Sequence, residues 1–383
     1  MESEAEKFDE VRGRGGNALV HKWRQGKLPA ALSALLSVLS WGYGAALAAR
    51  RGIYRAGVLR SRSLPCPVIS VGNLTLGGTG KTPFSLWLAE ALSRRGKKVA
   101  ILTRGYGARR ARVPAKRVGV PFRVGDAQGN SLSAAQCGDE PLLLAGRLPE
   151  VPVVVDKNRY RGGMWARKNC GVDFFILDDG FQHLALRRCL DLVLVDGMDP
   201  FGDGCLFPRG ILREPPGALR RAHGIFITRA NLSAGLAQVR ATVQSLCPEV
   251  PLFEVDYTAE ALLEIDAGPA HPVDLLRESP VMAFSGLADP ASFLALLKSL
   301  GANLIGHRDF GDHHWYTAGE IADLEVEARA RGARFLVTTE KDGVRIEGLE
   351  RRWNPTCLVL RLGLRLRSEK EFWSLVERRT RVS

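Results

Sequence analysis

The stretch Val68–Pro83, VISVGNLTLGGTGKTP, runs a short β-branched segment into a glycine-rich loop that ends in Gly80-Lys81-Thr82, just ahead of an amphipathic segment. A buried strand, a glycine-rich turn and a helix N-terminus in that order form a phosphate-binding loop. Gly77, Gly78 and Gly80 let backbone N–H groups approach phosphate oxygens without Cβ clashes. Lys81 is placed to reach the β- and γ-phosphates, and the Thr82 hydroxyl to ligate Mg²⁺. The strict G-x-x-x-x-G-K-[ST] pattern has glycine where this chain has Thr75. An ordinary glycine-rich turn is the competing reading.

At 383 residues the chain exceeds a usual single core, which predicts two domains. Strands alternating with helical stretches predict an α/β fold. A formal charge of +13 calls for an anionic partner: nucleic acid, acidic lipid or a phosphorylated substrate. There is no Cys-x-x-Cys pair and no RNA-binding aromatic signature, so the charge alone does not point to nucleic acid. Seven scattered cysteines read as reduced thiols in a cytosolic setting.

Residues 1–27 are polar and glycine-rich and read as a disordered tail. Leu28–Ala49 then carries no charged residue. As a helix it spans about 33 Å, the hydrocarbon thickness of a bilayer. Lys22, Arg24 and Lys27 precede it, and Arg50, Arg51, Arg55, Arg60 and Arg62 follow. Cations at both ends suit a helix at an anionic membrane face, with the heavier positive end on the cytoplasmic side. A signal peptide and a buried core helix compete with this reading.

Near-continuous apolar runs predict strands at 67–72, 98–103, 151–155, 173–178, 191–196 and 224–228, hence a parallel sheet covered on both faces. A helix is expected over 82–95 with Leu86, Ala89 and Leu92 inward, and an irregular, exposed insertion over 108–138. A second, smaller α/β unit is expected beyond residue 235, with strands at 281–284, 303–306, 334–338 and 356–360. The expected division is a tail (1–27), a membrane-associated helix (28–50), a P-loop core (61–234) and the second α/β domain (235–383).

Asp178-Asp179 follows an apolar strand, where a P-loop enzyme keeps its Mg²⁺-side carboxylate; a solvated turn is the alternative. Asp139 in Gly138-Asp139-Glu140-Pro141 is either a helix N-cap or a base facing the phosphate loop. Lys157 and Arg159 follow a strand and either face the ligand crevice or form a solvated run. The proline-bounded loop 208–216 brings Arg209, Arg213 and Glu214, a set suited to clamping phosphate and assisting the metal. His313-His314 is either half a metal site or a source of a histidine paired with a carboxylate.

Taken together, VGNLTLGGTGKTP, TRGYG (103–107), GDEP (138–141), DDGFQH (178–183), PRGILREP (208–215), FGDHHWY (310–316) and TEKD (339–342) resemble the tetraacyldisaccharide 4′-kinase family of lipid A biosynthesis. The segments fall in order across residues 67–342, and that family also carries an N-terminal hydrophobic helix. The resemblance implies transfer of the ATP γ-phosphate to the 4′-hydroxyl of a tetraacylated glucosamine disaccharide 1-phosphate, at the cytoplasmic face of the inner membrane. It implies Asp139 as proton acceptor paired with His313, and Mg²⁺ on Thr82, Asp178 and Asp179 with Glu214 near. The phosphate loop would comprise Thr75, Gly77, Gly78, Thr79, Gly80, Lys81 and Thr82. Asn73, Tyr106, Lys157, Arg159, Gln182, Arg209 and Arg213 would line the phosphates and sugar. The expected partners are the lipid substrate and an anionic membrane surface, with no nucleic acid. Competing classes are a P-loop regulatory or metallochaperone GTPase, with Thr228-Arg229-Ala230-Asn231 as a faint guanine-reading loop, and a basic membrane-anchored nucleic-acid scaffold.

Overall fold

The computed structural model describes residue 23 and residues 29–106, 121–124, 132–265, 268–346 and 352–380. The strands of the first half are β1 (Val68–Asn73), β2 (Val99–Thr103), β3 (Phe122–Val124), β4 (Val153–Val155), β5 (Phe174–Asp178), β6 (Leu190–Asp196) and β7 (Gly224–Thr228). Apart from β3, every residue in them is buried, as strands covered on both faces require. The rest of the sheet comes from β8 (Leu252–Glu264), β9 (Ala270–His271), β10 (Pro280–Ser285), β11 (Asn303–Asp309), β12 (Phe335–Thr339) and β13 (Thr356–Leu366).

All belong to one sheet of 13 strands, in the order β11-β10-β12-β13-β8-β7-β6-β1-β5-β2-β4-β3 with β9 on β8. β8 joins the halves: its start runs parallel to β7 and the strand then pairs antiparallel with β13. Its acidic residues hid it from the apolar-run reading. Asp256, nearly fully buried, is satisfied across the ladder by Arg365 at 2.9 Å and Arg367 at 2.7 Å.

The helices are α1 (Ala30–Arg55), α2 (Lys81–Arg94), α3 (Ala134–Cys137), α4 (Asp139–Arg147), α5 (Arg159–Cys170), α6 (Leu236–Leu246), α7 (Pro290–Ser299), α8 (Ala318–Ala330), α9 (Glu340–Ile346) and α10 (Glu369–Thr380). Leu86, Ala89 and Leu92 of α2 point into the core as expected, and Pro83 sits in its first turn, where no N–H partner is needed. The C-terminal α10 packs back onto the first half. Phe226 meets Phe253 at 4.9 Å, Phe84 at 4.8 Å and Phe372 at 5.6 Å between ring centroids. Burying each such ring stabilises the fold by roughly 1.5–3 kcal/mol.

The expected exposed insertion at 108–138 is corrected where it is described. Phe122–Val124 pairs antiparallel with β4, and α3 is a buried turn closed by a Ser133–Gln136 capping box. Residues 107–120 and 125–131, and all of the expected 1–27 tail except Trp23, lie outside the described residues. Helix α1 outlasts the uncharged run and takes in Arg50, Arg51 and Arg55. Only Ser40 of it is buried, while Trp41 is 77% exposed, so it is not a core helix. It is the one helix among the described residues long and apolar enough to cross a membrane.

Candidate active site

The predicted chemistry converges on the C-terminal edge of the sheet, where an open α/β fold places its ligand crevice. Strand β1 delivers Asn73 and then the loop. Gly77 and Gly80 take φ of +108° and +87°, backbone that a side chain would strain. Gly80 caps α2, and a Cβ there would also strike the Tyr257 hydroxyl. Asn73 Nδ2 donates to the Thr75 carbonyl at 2.9 Å, and Thr75 bridges to Leu212. Gln182 Nε2 donates to the Asn73 carbonyl at 2.8 Å. The buried Thr79 Oγ1 and Asn73 Oδ1 have no protein partner, as expected of groups that meet a ligand.

Lys81 Nζ lies 3.6 Å from Asp179, whose two oxygens also accept from Arg213 at 2.9 Å each. Burial pushes the Asp179 carboxyl up, but Lys81 and Arg213 outweigh it and hold it at about 2. Asp178 behaves oppositely. It accepts from Ser85 Oγ at 3.1 Å and Thr103 Oγ1 at 3.5 Å, both neutral donors. Burial, then the Glu140 and Asp179 charges, push it up to about 7 against the pull of Lys81. Asp178 and Thr82 offer hard oxygens, and a divalent cation would supply the positive charge that Asp178 lacks. Among the described residues no three His, Cys, Asp or Glu side chains cluster as a metal cage.

Asp139 opens α4 as its first residue, and Gly138 takes the N-cap position, so of the two alternatives for Asp139 the cap is not the one adopted. Its Oδ2 lies 3.0 Å from His313 Nδ1, a contact spanning 174 residues of sequence. The same oxygen accepts from Arg345 Nε at 2.9 Å and from Arg345 Nη2. Burial raises the Asp139 carboxyl, but the His313 hydrogen bond and the Lys341 and Arg345 charges pull it well below the usual range. Arg345 is braced in turn by Asp342 at 3.3 Å and the Gly286 carbonyl at 3.1 Å. Asp342 accepts from Tyr316 at 3.0 Å, Thr339 at 2.7 Å and the Gly286 N–H at 2.9 Å. His313 holds φ at +59°, a left-handed backbone that persists where surrounding contacts fix it. The Tyr106 ring, 67% exposed, meets the His313 ring edge-on at 5.4 Å. His314 turns away to Glu320 at 3.0 Å.

The remaining predicted residues divide. Arg159 is buried; desolvation and the nearby Arg104 lower its guanidinium to about 10, against the pull of Asp178. Lys157 is exposed beside it. Burial and the charges of Arg159, Arg188, Arg50 and Arg104 lower His183 to about 4, which registers how positive this edge is. Glu214 is buried and shared between Arg221 at 2.8 Å and Arg51 of α1 at 3.1 Å. The loop carrying Arg209, Arg213 and Glu214 is fastened to α1: Arg209 N donates to Ser40 Oγ at 3.0 Å, Ser40 Oγ donates to the Leu206 carbonyl at 2.8 Å, and Tyr43 Oη donates to the Arg213 carbonyl at 3.1 Å. Trp23 Nε1 adds a bond to the Pro208 carbonyl at 2.8 Å. Asn231 spends both amide ends on the Tyr257 backbone at 2.9 Å, so the segment 228–231 offers no guanine-reading amide.

Sequence reasoning missed Glu140, Lys341, Asp342 and Arg345 as site residues. Lys341 pairs with Glu140 at 2.9 Å beside Asp139. The first three lie inside the GDEP and TEKD segments, which was the available signal; Arg345 lies outside every such segment.

The family profile described as tetraacyldisaccharide-1-P 4′-kinase matches residues 32–381. The tetraacyldisaccharide 4′-kinase of Anaeromyxobacter dehalogenans (strain 2CP-C) is 43% identical over 335 residues, covering 87% of this chain and 86% of the relative. The protein of that name from Pelobacter propionicus is 39% identical over 333 residues, covering 87% and 88%. Among solved structures, LpxK from Aquifex aeolicus in complex with ATP is 32% identical with a TM-score of 0.70, covering 91% of this chain and 99% of that one. With the phosphate loop, the Asp–His pair and a profile match over nearly the whole described chain, this protein belongs to the tetraacyldisaccharide 4′-kinase family.

Proposed function

We propose that this chain transfers the γ-phosphate of ATP to the 4′-hydroxyl of a tetraacylated glucosamine disaccharide 1-phosphate, a step of lipid A biosynthesis. The observation that carries the reading is the joining, on one sheet edge, of the Lys81–Asp179–Arg213 cluster and the Asp139–His313 pair. Phosphoryl transfer depends on alignment and charge neutralisation, with a base to take the hydroxyl proton.

Lys81, Arg213 and Arg159 would bind phosphate oxygens, and the loop N–H groups would orient them. Thr82 and Asp178 would hold Mg²⁺, which when bound neutralises phosphate charge. Asp179 and Glu214 already carry cationic partners and would act as struts. The resemblance implies Asp139 as the proton acceptor; the geometry favours His313 Nε2 in that role. Asp139 is 2% exposed and held below the usual carboxylate range, a poor acceptor. His313 reaches it through Nδ1, leaves Nε2 outward 3.9 Å from Asp312, and is partly open to solvent. Asp139 would then fix the tautomer and support the imidazolium.

The protein is membrane-associated through α1, and an ATP-using site argues for the cytoplasmic face of the inner membrane. Arginines at the inner end of α1 favour an anionic surface, and lipid rather than nucleic acid accounts for the basic charge. The domain boundary near residue 235 is proposed to separate two lobes that share β8.

The test is transfer of labelled γ-phosphate from Mg·ATP to tetraacyl disaccharide 1-phosphate in detergent micelles. Label in the lipid, lost in Lys81→Ala, is the expected result. Bound ATP with unlabelled lipid refutes the assignment.

A further inference from the structure

We infer that Thr228 and Arg229 are positioning residues for the phosphate loop: from the end of β7 they turn two of its peptide planes so that the N–H groups face the phosphates. Arg229 Nη2 donates to the Gly78 carbonyl at 2.5 Å, and Thr228 Oγ1 donates to the Thr79 carbonyl at 3.0 Å. A trans peptide is planar, with its C=O and the following N–H pointing in opposite directions. Drawing the carbonyls of Gly78 and Thr79 towards β7 therefore turns the N–H groups of Thr79 and Gly80 away from it. Successive N–H groups aimed the same way form an anion-binding concavity. The buried Thr79 hydroxyl, which has no protein partner, belongs to the same turn and awaits an acceptor.

The anchor is itself over-determined. Arg229 is 5% exposed and holds φ at +56°. Its guanidinium also meets Asp196 at 2.5 Å and Asp289 at 2.8 Å, and sits over the Tyr257 ring at 5.6 Å. The Tyr257 hydroxyl closes the space behind Gly80, and Asn231 clamps the Tyr257 backbone. Asp289 immediately precedes α7, on the far side of β8, so the loop is braced from both halves of the sheet. A left-handed, non-glycine arginine buried between two carboxylates persists only where its surroundings require it. The guanine-reading role weighed for this segment gives way to a structural one directed at phosphate.

The inference rests on the phosphate-loop reading above, and the experiment separates the two. Full-length parent, Thr228→Val and Arg229→Lys in detergent are titrated with Mg·ATP, inorganic triphosphate and adenosine. One lost hydrogen bond predicts Thr228→Val to weaken ATP and triphosphate about fivefold. Arg229→Lys, which cannot reproduce the planar fork, is expected to lose roughly tenfold or more. Adenosine binding should stay unchanged in both, a split that loosened folding would not produce. Thr228→Val is nearly isosteric and decides the matter if Arg229→Lys does not fold. Variants that bind triphosphate like a binding parent, or that weaken adenosine equally, overturn this inference alone. A parent that binds no triphosphate overturns the phosphate-loop reading and this inference with it.

Discussion

Asp139 and Asp178 are equally withdrawn from solvent, each 2% exposed, yet they are pushed to opposite sides of the usual carboxylate range. Desolvation works in the same direction on both, so it cannot be what separates them. Asp139 has Arg345, Lys341 and His313 beside it and is held ionised by the protein itself. Asp178 has only hydroxyl donors at hydrogen-bond distance and two acidic neighbours, and rises to about 7. One carboxylate is complete; the other is short of a cation. The contrast supports the proposal above, in which the first orients a histidine and the second would hold a metal.

The largest effects should come from removing either charge. Asp139→Asn keeps the shape but loses the negative charge that His313 and Arg345 share, and turnover should fall by roughly 10²–10⁴-fold with ATP affinity nearly unchanged. Equal losses in both constants would place Asp139 in nucleotide binding. Asp178→Asn should also abolish Mg²⁺-dependent transfer, but its stability should move the other way. An acid whose folded pKa is raised stabilises fully below its ordinary value of 3.8, and that stability is lost as pH rises through about 7. In metal-free buffer the variant should match the parent near pH 4 and exceed it near pH 8, by an amount on the order of a few kcal/mol. Asp139, with its pKa lowered, does the opposite: its contribution is present above the ordinary value and disappears in stronger acid. Thermal unfolding across pH with a chelator present checks both signs. A flat difference between Asp178→Asn and parent would end the contrast.

Arg345 allows the comparison to be sharpened. Its Nη2 lies 3.3 Å from His313 Nδ1 while the same guanidinium holds Asp139, so it fixes the geometry of the pair. Arg345→Gln should lower turnover by roughly tenfold to a hundredfold through misplacement of the base. Arg345→Lys, which keeps the charge but not the planar fork, should recover only part of the loss. A variant with lowered thermal stability but parental turnover would reduce Arg345 to a packing role.

How much of this the sequence disclosed follows from how local each signal is. The phosphate loop and the apolar strands are contiguous patterns, and they appear at the expected residues. β8 escaped because Asp256 and its acidic neighbours look like loop until Arg365 of β13 and Arg367 just beyond it arrive to neutralise them. Arg345 escaped because its partner Asp139 lies 206 residues away, and on a short helix Asp342 and Arg345 read as a solvated i,i+3 pair. The Asp139–His313 pairing came only from resemblance, since nothing near either residue encodes the other. The opposite shifts of Asp139 and Asp178 were likewise invisible, because each is the field of side chains drawn from helices and loops far apart in sequence.

Glu214 is a further buried carboxylate of this region and the case with the smallest expected effect. The resemblance put it near the metal, whereas its oxygens accept from Arg221 and one of them also from Arg51 of α1. In electrostatic terms it belongs with Asp139, supplied with protein cations, rather than with Asp178. Glu214→Gln should therefore leave the Mg²⁺ concentration for half-maximal activity unchanged, and lower thermal stability, because Arg221 and Arg51 lose their shared counter-ion. The loop beyond Glu214's neighbour Arg213 is fastened to α1 through Ser40 and Tyr43, so a modest rise in KM for the lipid should accompany the loss. A several-fold increase in the Mg²⁺ requirement would instead move Glu214 into the class of Asp178. It would also show that pairing with two arginines does not prevent a carboxylate from serving a metal.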